Sequence, residues 1–317
     1  MDGTRFWAVI VGIDHHEHDS TVDLRGACSD AALFHDYCTQ SLSVPSDHIR
    51  LLVSETAGRL DAEYPTRQGI LSALYSLRND PRIQRDDNII FYFAGRGARY
   101  HLPRKSTGSP YPLDALCPAD RGYGPAGEFV MDISDLEIRH LLHDLNEAKG
   151  NNITIILDAS YPERGIRIGD DGYHRCIRTA PSLNMTVKQM MEYLAEHAHF
   201  QDAEAGGSNF MKAWEVVGEC GDWDERSCVL LLACLPVESA LETRINSEAE
   251  WHGCFTRALV RLLQVGGKRT FAELGEAVKE YIPHRYMFGS GPIQTPYAAG
   301  ARKDEQVWFS KEDRTEG

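Results

Sequence analysis

The sequence predicts an α/β fold built on a mainly parallel sheet. Three observations carry that expectation. Short apolar and β-branched runs, such as Ile89 to Phe93 and Ile153 to Leu157, have the length of one buried strand and end abruptly at glycine or polar positions. Between such runs lie stretches whose apolar residues recur at helical spacing. Two capping boxes, Ser134 with Glu137 and Thr270 with Glu273, mark helix starts, because hydroxyl and carboxylate reciprocally satisfy backbone N–H groups. Strand and helix thus alternate, and right-handed crossovers make successive strands parallel. In such sheets ligands and chemistry collect at the carboxyl ends of the strands.

Taken in order, the run Phe6 to Asp14 is the first strand and a central one. Ala31, Leu33, Phe34, Tyr37 and Cys38 then follow helical spacing until Pro45 ends the unit. Ile49 to Val53 is the next strand, and Thr66 caps a helix whose apolar face is Ile70, Leu71, Leu74 and Leu77. The strand Asn88 to Ala94 runs into the tight turn Gly95-Arg96-Gly97, and a Gly, Pro and Ser-rich loop is expected from Ala98 to about Tyr111. A strand at Leu113 leads to Pro118 and Asp120, and a second loop reaches Glu128. The helix after Ser134 stops at Gly150, and the strand from Ile153 ends in Asp158-Ala159-Ser160. From Tyr161 to about Arg226 the pattern loosens: loop over Tyr173 to Ser182, one helix through Val187, Met190, Met191 and Leu194, then an acidic, glycine-rich stretch from Asp202 to Ser208. Cys228 to Cys234 is a strand, Gly253 opens a helix, and Gln306 to Phe309 is read as the last strand.

Composition narrows the classes. With 317 residues, 42% of them hydrophobic, the chain can bury a sizeable core. No apolar run approaches the ~20 residues of a membrane span, and the opening Met1-Asp2-Gly3-Thr4-Arg5 has no cleavable apolar signal, so a cytoplasmic protein is expected. Eight cysteines are spread singly with no Cys-x-x-Cys pair, which argues for buried thiols and against zinc. A formal charge of −14 argues against nucleic acid and anionic membrane as partners and favours a basic one.

The two strand ends, Phe93-Ala94-Gly95-Arg96-Gly97 and Leu157-Asp158-Ala159-Ser160, resemble the core of the metacaspase and caspase-like peptidases, the peptidase C14 group. Further matches to that family are Leu24-x-Gly26 with Asp30-Ala31, Ala233-Cys234, Glu238-x-Ala240 and Gly253-x-Phe255-Thr256. The resemblance implies a three-layer α/β/α sandwich around a mainly parallel sheet of six or slightly more strands. It also implies one caspase-like domain over 1–317, with a large-subunit-like part at 5–161, a linker-like region at 162–226 and a small-subunit-like part at 227–310. By the same resemblance Arg96 stands where the family has its histidine base, and Ser160 where it has its cysteine nucleophile. Asp30 and Asp158 match the two acids that accept a substrate Arg or Lys. The alternative uses are a helix N-terminal acid for Asp30 and a carboxylate met by local backbone N–H groups for Asp158. The loop from Ala98 to Asp114 lacks the family's calcium-binding carboxylates, so no metal or other cofactor is expected.

Both departures remove chemistry. A guanidinium stays protonated and has no lone pair to take a proton. A serine hydroxyl depends on an adjacent base far more than a thiol does, and no Gly-x-Ser-x-Gly elbow surrounds Ser160. His101 and His174 are the stand-ins nearest in sequence, and each reads more simply as a loop histidine. The first expectation is therefore an impaired pseudo-peptidase that binds a peptide or protein through a basic residue. The alternative is an active cysteine-type or Ser160-dependent endopeptidase cleaving after Arg or Lys. A third use of Arg96 is an internal ion pair with Asp30 and Asp158, filling the site itself, since a buried arginine must pair or reach solvent.

Overall fold

The structure is a computed structural model that describes residues 2–18, 23–55, 62–102, 111–125, 127–161, 176–185, 189, 193, 228–244, 250–282 and 294–308. Alternation of side chains along the first strand sets the layers. In β1 (Phe6–Gly12), Phe6, Ala8 and Ile10 face one way and Trp7, Val9 and Val11 the other, and all six are buried. A strand so buried needs helices on both faces. It gets them from α1 (Ala27–Asp36) on one side and α2 (Arg67–Asn79) on the other.

The remaining sheet strands are β2 (Ile49–Val53), β3 (Asn88–Ala94), β9 (Ile153–Asp158), β11 (Val229–Leu232) and β14 (Tyr297–Ala299). Their order is β14-β11-β9-β3-β1-β2, parallel throughout except for antiparallel β14. Helix α3 (Asp135–Lys149) joins α2 on one face, while α4 (Cys254–Val265) and α5 (Phe271–Tyr281) join α1 on the other. This is the expected α/β/α sandwich on six strands. Among the described residues no helix is long and apolar enough to cross a membrane.

The local signals hold. The Thr66 hydroxyl accepts from Gly69 N–H at 2.9 Å, both capping boxes form, and Gly150 ends α3 at φ 89°, where other residues are strained. Three expectations need correction. The last sheet strand among the described residues is Tyr297–Ala299; of the strand expected at Gln306 to Phe309, residues 306–308 are described and form only one isolated antiparallel bridge, Gln306 to Thr270. Val307 and Trp308 are buried as packing groups, with the Trp308 ring edge-on to Phe6 and Phe271 at 6.1 and 5.8 Å. Their apolar side chains serve contact, and the main chain beside them pairs only at that bridge, where Val307 N–H donates to Arg269 O at 3.0 Å. The loop expected from Ala98 instead begins with a hairpin, β4 (Gly97–Leu102) against β5 (Tyr111–Leu116), in which Ala98 and Tyr100 pack into a small core; β6 (Gly122–Tyr123) pairs with β7 (Phe129–Val130), and β8 (Ile133–Ser134) pairs with β5. Within the loop expected at Tyr173 to Ser182, Cys176–Ile177 forms a short strand, β10, antiparallel to β12 (Leu241–Arg244). The helix expected through Val187 to Leu194 and the acidic stretch Asp202 to Ser208 lie outside the described residues, apart from single helical positions at 189 and 193.

Candidate functional site

Strands β3 and β9 lie side by side with Ala94 opposite Asp158, so the turn at Arg96 and the residues at Ser160 share one end of the sheet. Gly97 makes the approach possible, because a Cβ there would lie 2.5 Å from the Tyr161 ring and 2.6 Å from the Ser160 carbonyl oxygen. Helix α1 starts against the same end. Its first N–H groups, those of Ala27 and Cys28, donate to the Asp14 carboxylate at 2.7 and 3.1 Å. The N–H groups of Arg25 and Gly26 donate to Glu242 at 2.8 and 3.1 Å. Asp14 and Glu242 thus serve the helix N-terminus, which leaves Asp30 for other partners.

Those partners are charged. Arg178 lies wholly buried between Asp30, Asp158 and Glu242, all of them also at 0% exposure. Its Nη2 is 2.5 Å from Asp30 Oδ2 and 3.5 Å from Glu242 Oε2, and its Nη1 is 2.9 Å from Asp158 Oδ2. Asp30 Oδ2 also accepts from Gly253 N–H at 2.7 Å, and the His252 ring lies 3.0 Å from Oδ1. Asp158 Oδ2 accepts from the backbone N–H and hydroxyl of Thr256, at 3.2 and 2.6 Å, in the first turn of α4. Neither aspartate is met by local backbone alone. Burial raises the Asp158 and Glu242 carboxyls, an effect that the Arg178 guanidinium partly offsets. Burial by itself would push Arg178 down, but the surrounding carboxylates outweigh it and hold the guanidinium well above its ordinary value.

The cation in the acid cluster is therefore Arg178 and not Arg96. The Arg96 guanidinium is turned to main chain instead: its Nη1 donates to the carbonyl oxygens of Ile177 and Thr179 at 3.0 and 2.5 Å. The expected pairing of Arg96 with the two aspartates is corrected on that ground. Arg178 fits three acids with one planar fork, and residues 177 and 179 offer Arg96 two carbonyls.

The main chain of Arg178 is held as firmly as its side chain. Its N–H donates to Ala240 O at 3.0 Å. Its carbonyl oxygen accepts from the N–H groups of Gly97 and Ser160, at 3.2 and 3.1 Å, and from the Ser160 hydroxyl at 3.2 Å. Two backbone N–H groups converging on one carbonyl oxygen are the arrangement that stabilises an oxyanion in acyl transfer. Among the described residues the arrangement shows no general base for that hydroxyl. Among the described residues no imidazole is hydrogen-bonded to the Ser160 hydroxyl. His101 is exposed on β4, and His174 lies outside the described residues. The buried His16 is held neutral, because burial pushes it down to about 4, helped by the nearby Arg121 and Arg96 charges. Its Nδ1 is 2.9 Å from the Pro118 carbonyl rather than at Ser160.

Sequence reasoning placed Asp30, Asp158, Arg96 and Ser160 at one sheet end, and the structure brings them together. It missed Arg178, Glu242, Thr256 and Gly253. Only Gly253 and Thr256 stood in a motif already singled out.

A family model described as the metacaspase, peptidase C14 domain matches residues 7–167, half of the chain. No curated protein matches. Among solved structures, the protein GSU0716 from Geobacter sulfurreducens is 16% identical, with a TM-score of 0.55 and 93% of each chain covered. Caspase-1 from Spodoptera frugiperda is 11% identical, with a TM-score of 0.46, covering 93% of this chain and 84% of its own. At such identities the first likeness is one of fold, in keeping with the six-stranded sandwich. The family match spans the strand ends that carry Arg96 and Ser160 and the helix that carries Asp30, and on it the chain belongs to the metacaspase, peptidase C14 domain family.

Proposed function

We propose that this chain is a catalytically impaired member of its family, which holds an arginine-bearing peptide in its cleft and acts by binding rather than cutting. One observation carries the reading: Arg178 sits between Asp30 and Asp158 while its carbonyl oxygen lies under the N–H groups of Gly97 and Ser160. Side chain and main chain are thus held together, as an extended peptide ligand would be. Arg96 cannot take the proton that hydrolysis must move. The Ser160 hydroxyl points its own proton at the Arg178 carbonyl oxygen. Asp30 and Asp158 are the acids of the pocket, and the natural ligand is a peptide or protein segment bearing Arg. No nucleic acid is expected in a cleft lined by carboxylates. A cytoplasmic setting fits the unbridged thiols of Cys28, Cys38 and Cys234.

The convergence of the Gly97 and Ser160 N–H groups with a hydroxyl also favours a second reading, a slow Ser160-dependent endopeptidase cutting after Arg or Lys. Fluorogenic Arg, Lys and Asp peptides separate the two. The native chain should release no more fluorophore than its Ser160→Ala variant, with or without calcium. Turnover by the native chain that disappears in Ser160→Ala would establish the second reading instead.

A further inference from the structure

The cleft holds the main chain of residues 176–180 at several points, and one of these holds is made by Arg96. Before the arginine, Cys176 and Ile177 pair with Glu242 and Leu241 as an added antiparallel strand. After it, Ala180 N–H donates to Gly97 O at 2.8 Å. Between these, Arg96 Nη1 spans the carbonyls of Ile177 and Thr179, the two that flank Arg178. One nitrogen can serve both because a terminal guanidinium nitrogen carries two hydrogens, each aimed at a separate acceptor. An imidazole nitrogen carries one at most, so a histidine at residue 96 could not make this bridge. The guanidinium is also a permanent cation, and charge-assisted bonds to carbonyls are the stronger kind. Arg96 is itself buried, at 7% exposure, which keeps both bonds out of water.

We propose that Arg96 is a clamp that locks residues 176–180 in the cleft as a built-in pseudo-substrate. The change at residue 96 then does more than remove a base: it replaces proton transfer with anchoring. This rests on the reading that the cleft holds an arginine-bearing peptide without cutting it. It adds that a partner peptide gains the cleft only when the clamp opens. Such a ligand must also bring its own cation, because the departing Arg178 leaves Asp30, Asp158 and Glu242 buried together. Arginine suits that exchange better than lysine, since two separate guanidinium nitrogens reach Asp30 and Asp158.

Hydrogen exchange on the full chain tests the clamp. The N–H groups of Arg178 and Ala180 report opening of the segment, and those of Ile90 and Tyr92, inside β3, report the sheet. In Arg96→Met, which keeps the length and loses every donor, exchange at Arg178 and Ala180 should rise at least about ten-fold while Ile90 and Tyr92 stay at the native rate. In Arg96→Lys, which keeps the charge and the donors, the rise should be smaller. Unchanged exchange at Arg178 in Arg96→Met would overturn the clamp. So would an equal rise at all four positions, which would make Arg96 a support of the whole fold. In either case a native chain silent in the peptide assay would leave the non-cutting reading standing. Turnover by the native chain would remove that reading and the clamp with it.

Discussion

Replacing Arg178 by alanine should cost about 3–5 kcal/mol of stability, the usual penalty for removing one partner of a buried ion pair. The expectation does not assume that the cluster is a large net source of stability, since desolvation offsets much of the Coulombic gain. It follows from what is left behind. Asp30, Asp158 and Glu242 would lie buried with no guanidinium among them. Urea unfolding at pH 7 would measure the loss. The pH dependence has a definite sign. Burial already raises Asp158 and Glu242, and removing Arg178 removes the charge that holds them down. Raised carboxyls take up protons in the folded state before the unfolded one, so the penalty is largest at neutral pH and shrinks as pH falls. Arg178→Ala should therefore lose less relative to the native chain at pH 5 than at pH 7. Ethylguanidinium should restore part of the unfolding midpoint in the variant and none in the native chain. Arg178→Lys should recover only part, because one ammonium cannot bridge two carboxylates as a fork does.

The second large effect is expected at Gly253. Strand β13 (Trp251–Gly253) brings its last residue against the ion cluster. A Cβ there would lie 2.3 Å from Asp158 Oδ2, 2.7 Å from Asp30 Oδ2 and 2.9 Å from Arg178 Nη1. None of these atoms is the free end of a mobile side chain; all are fully buried and mutually bonded. Backbone conformation is not the obstacle, since φ is −64°. The cost is steric, and Gly253→Ala should lose about 3 kcal/mol, at the upper end for overpacking. Hydrogen exchange at Arg178 should accelerate with it, because the three displaced groups are the ones that hold that side chain. Native-like stability in Gly253→Ala would mean that the cluster is looser than these distances require.

Much of the frame was legible because its signals are local. A buried strand shows as an apolar run, and a helix start as a hydroxyl three residues before a glutamate; Ile153–Asp158 and Ser134 with Glu137 are such cases. The strand ends were legible too, since Arg96 and Ser160 directly follow the runs that carry them. Arg178 was not. Its stretch has no periodicity, and its partners come from three separate elements, α1, β9 and β12, at separations from 20 to 148 residues. An arginine in a loop ordinarily reads as solvated, and only the folded chain shows it enclosed. Arg96 directly follows a strand that carries the site, and it was read into a place that Arg178 fills. The strand expected at Gln306 to Phe309 failed for a related reason. An apolar run says that residues are buried, not how far they pair; Val307 and Trp308 pack, and the pairing beside them stops at one bridge.

The most direct test of a self-filled, non-cutting cleft is the intact mass of the double variant Arg96→His/Ser160→Cys, followed over hours after purification. A thiol in place of the hydroxyl and an imidazole in place of the clamp would supply the nucleophile and base that the native cleft lacks. The carbonyl presented to them is that of Arg178, with its oxygen already held by two N–H groups. A self-filled cleft predicts that the chain splits between Arg178 and Thr179, with neither single variant doing so. A double variant that cuts added arginine peptides yet leaves its own Arg178–Thr179 bond intact would contradict it.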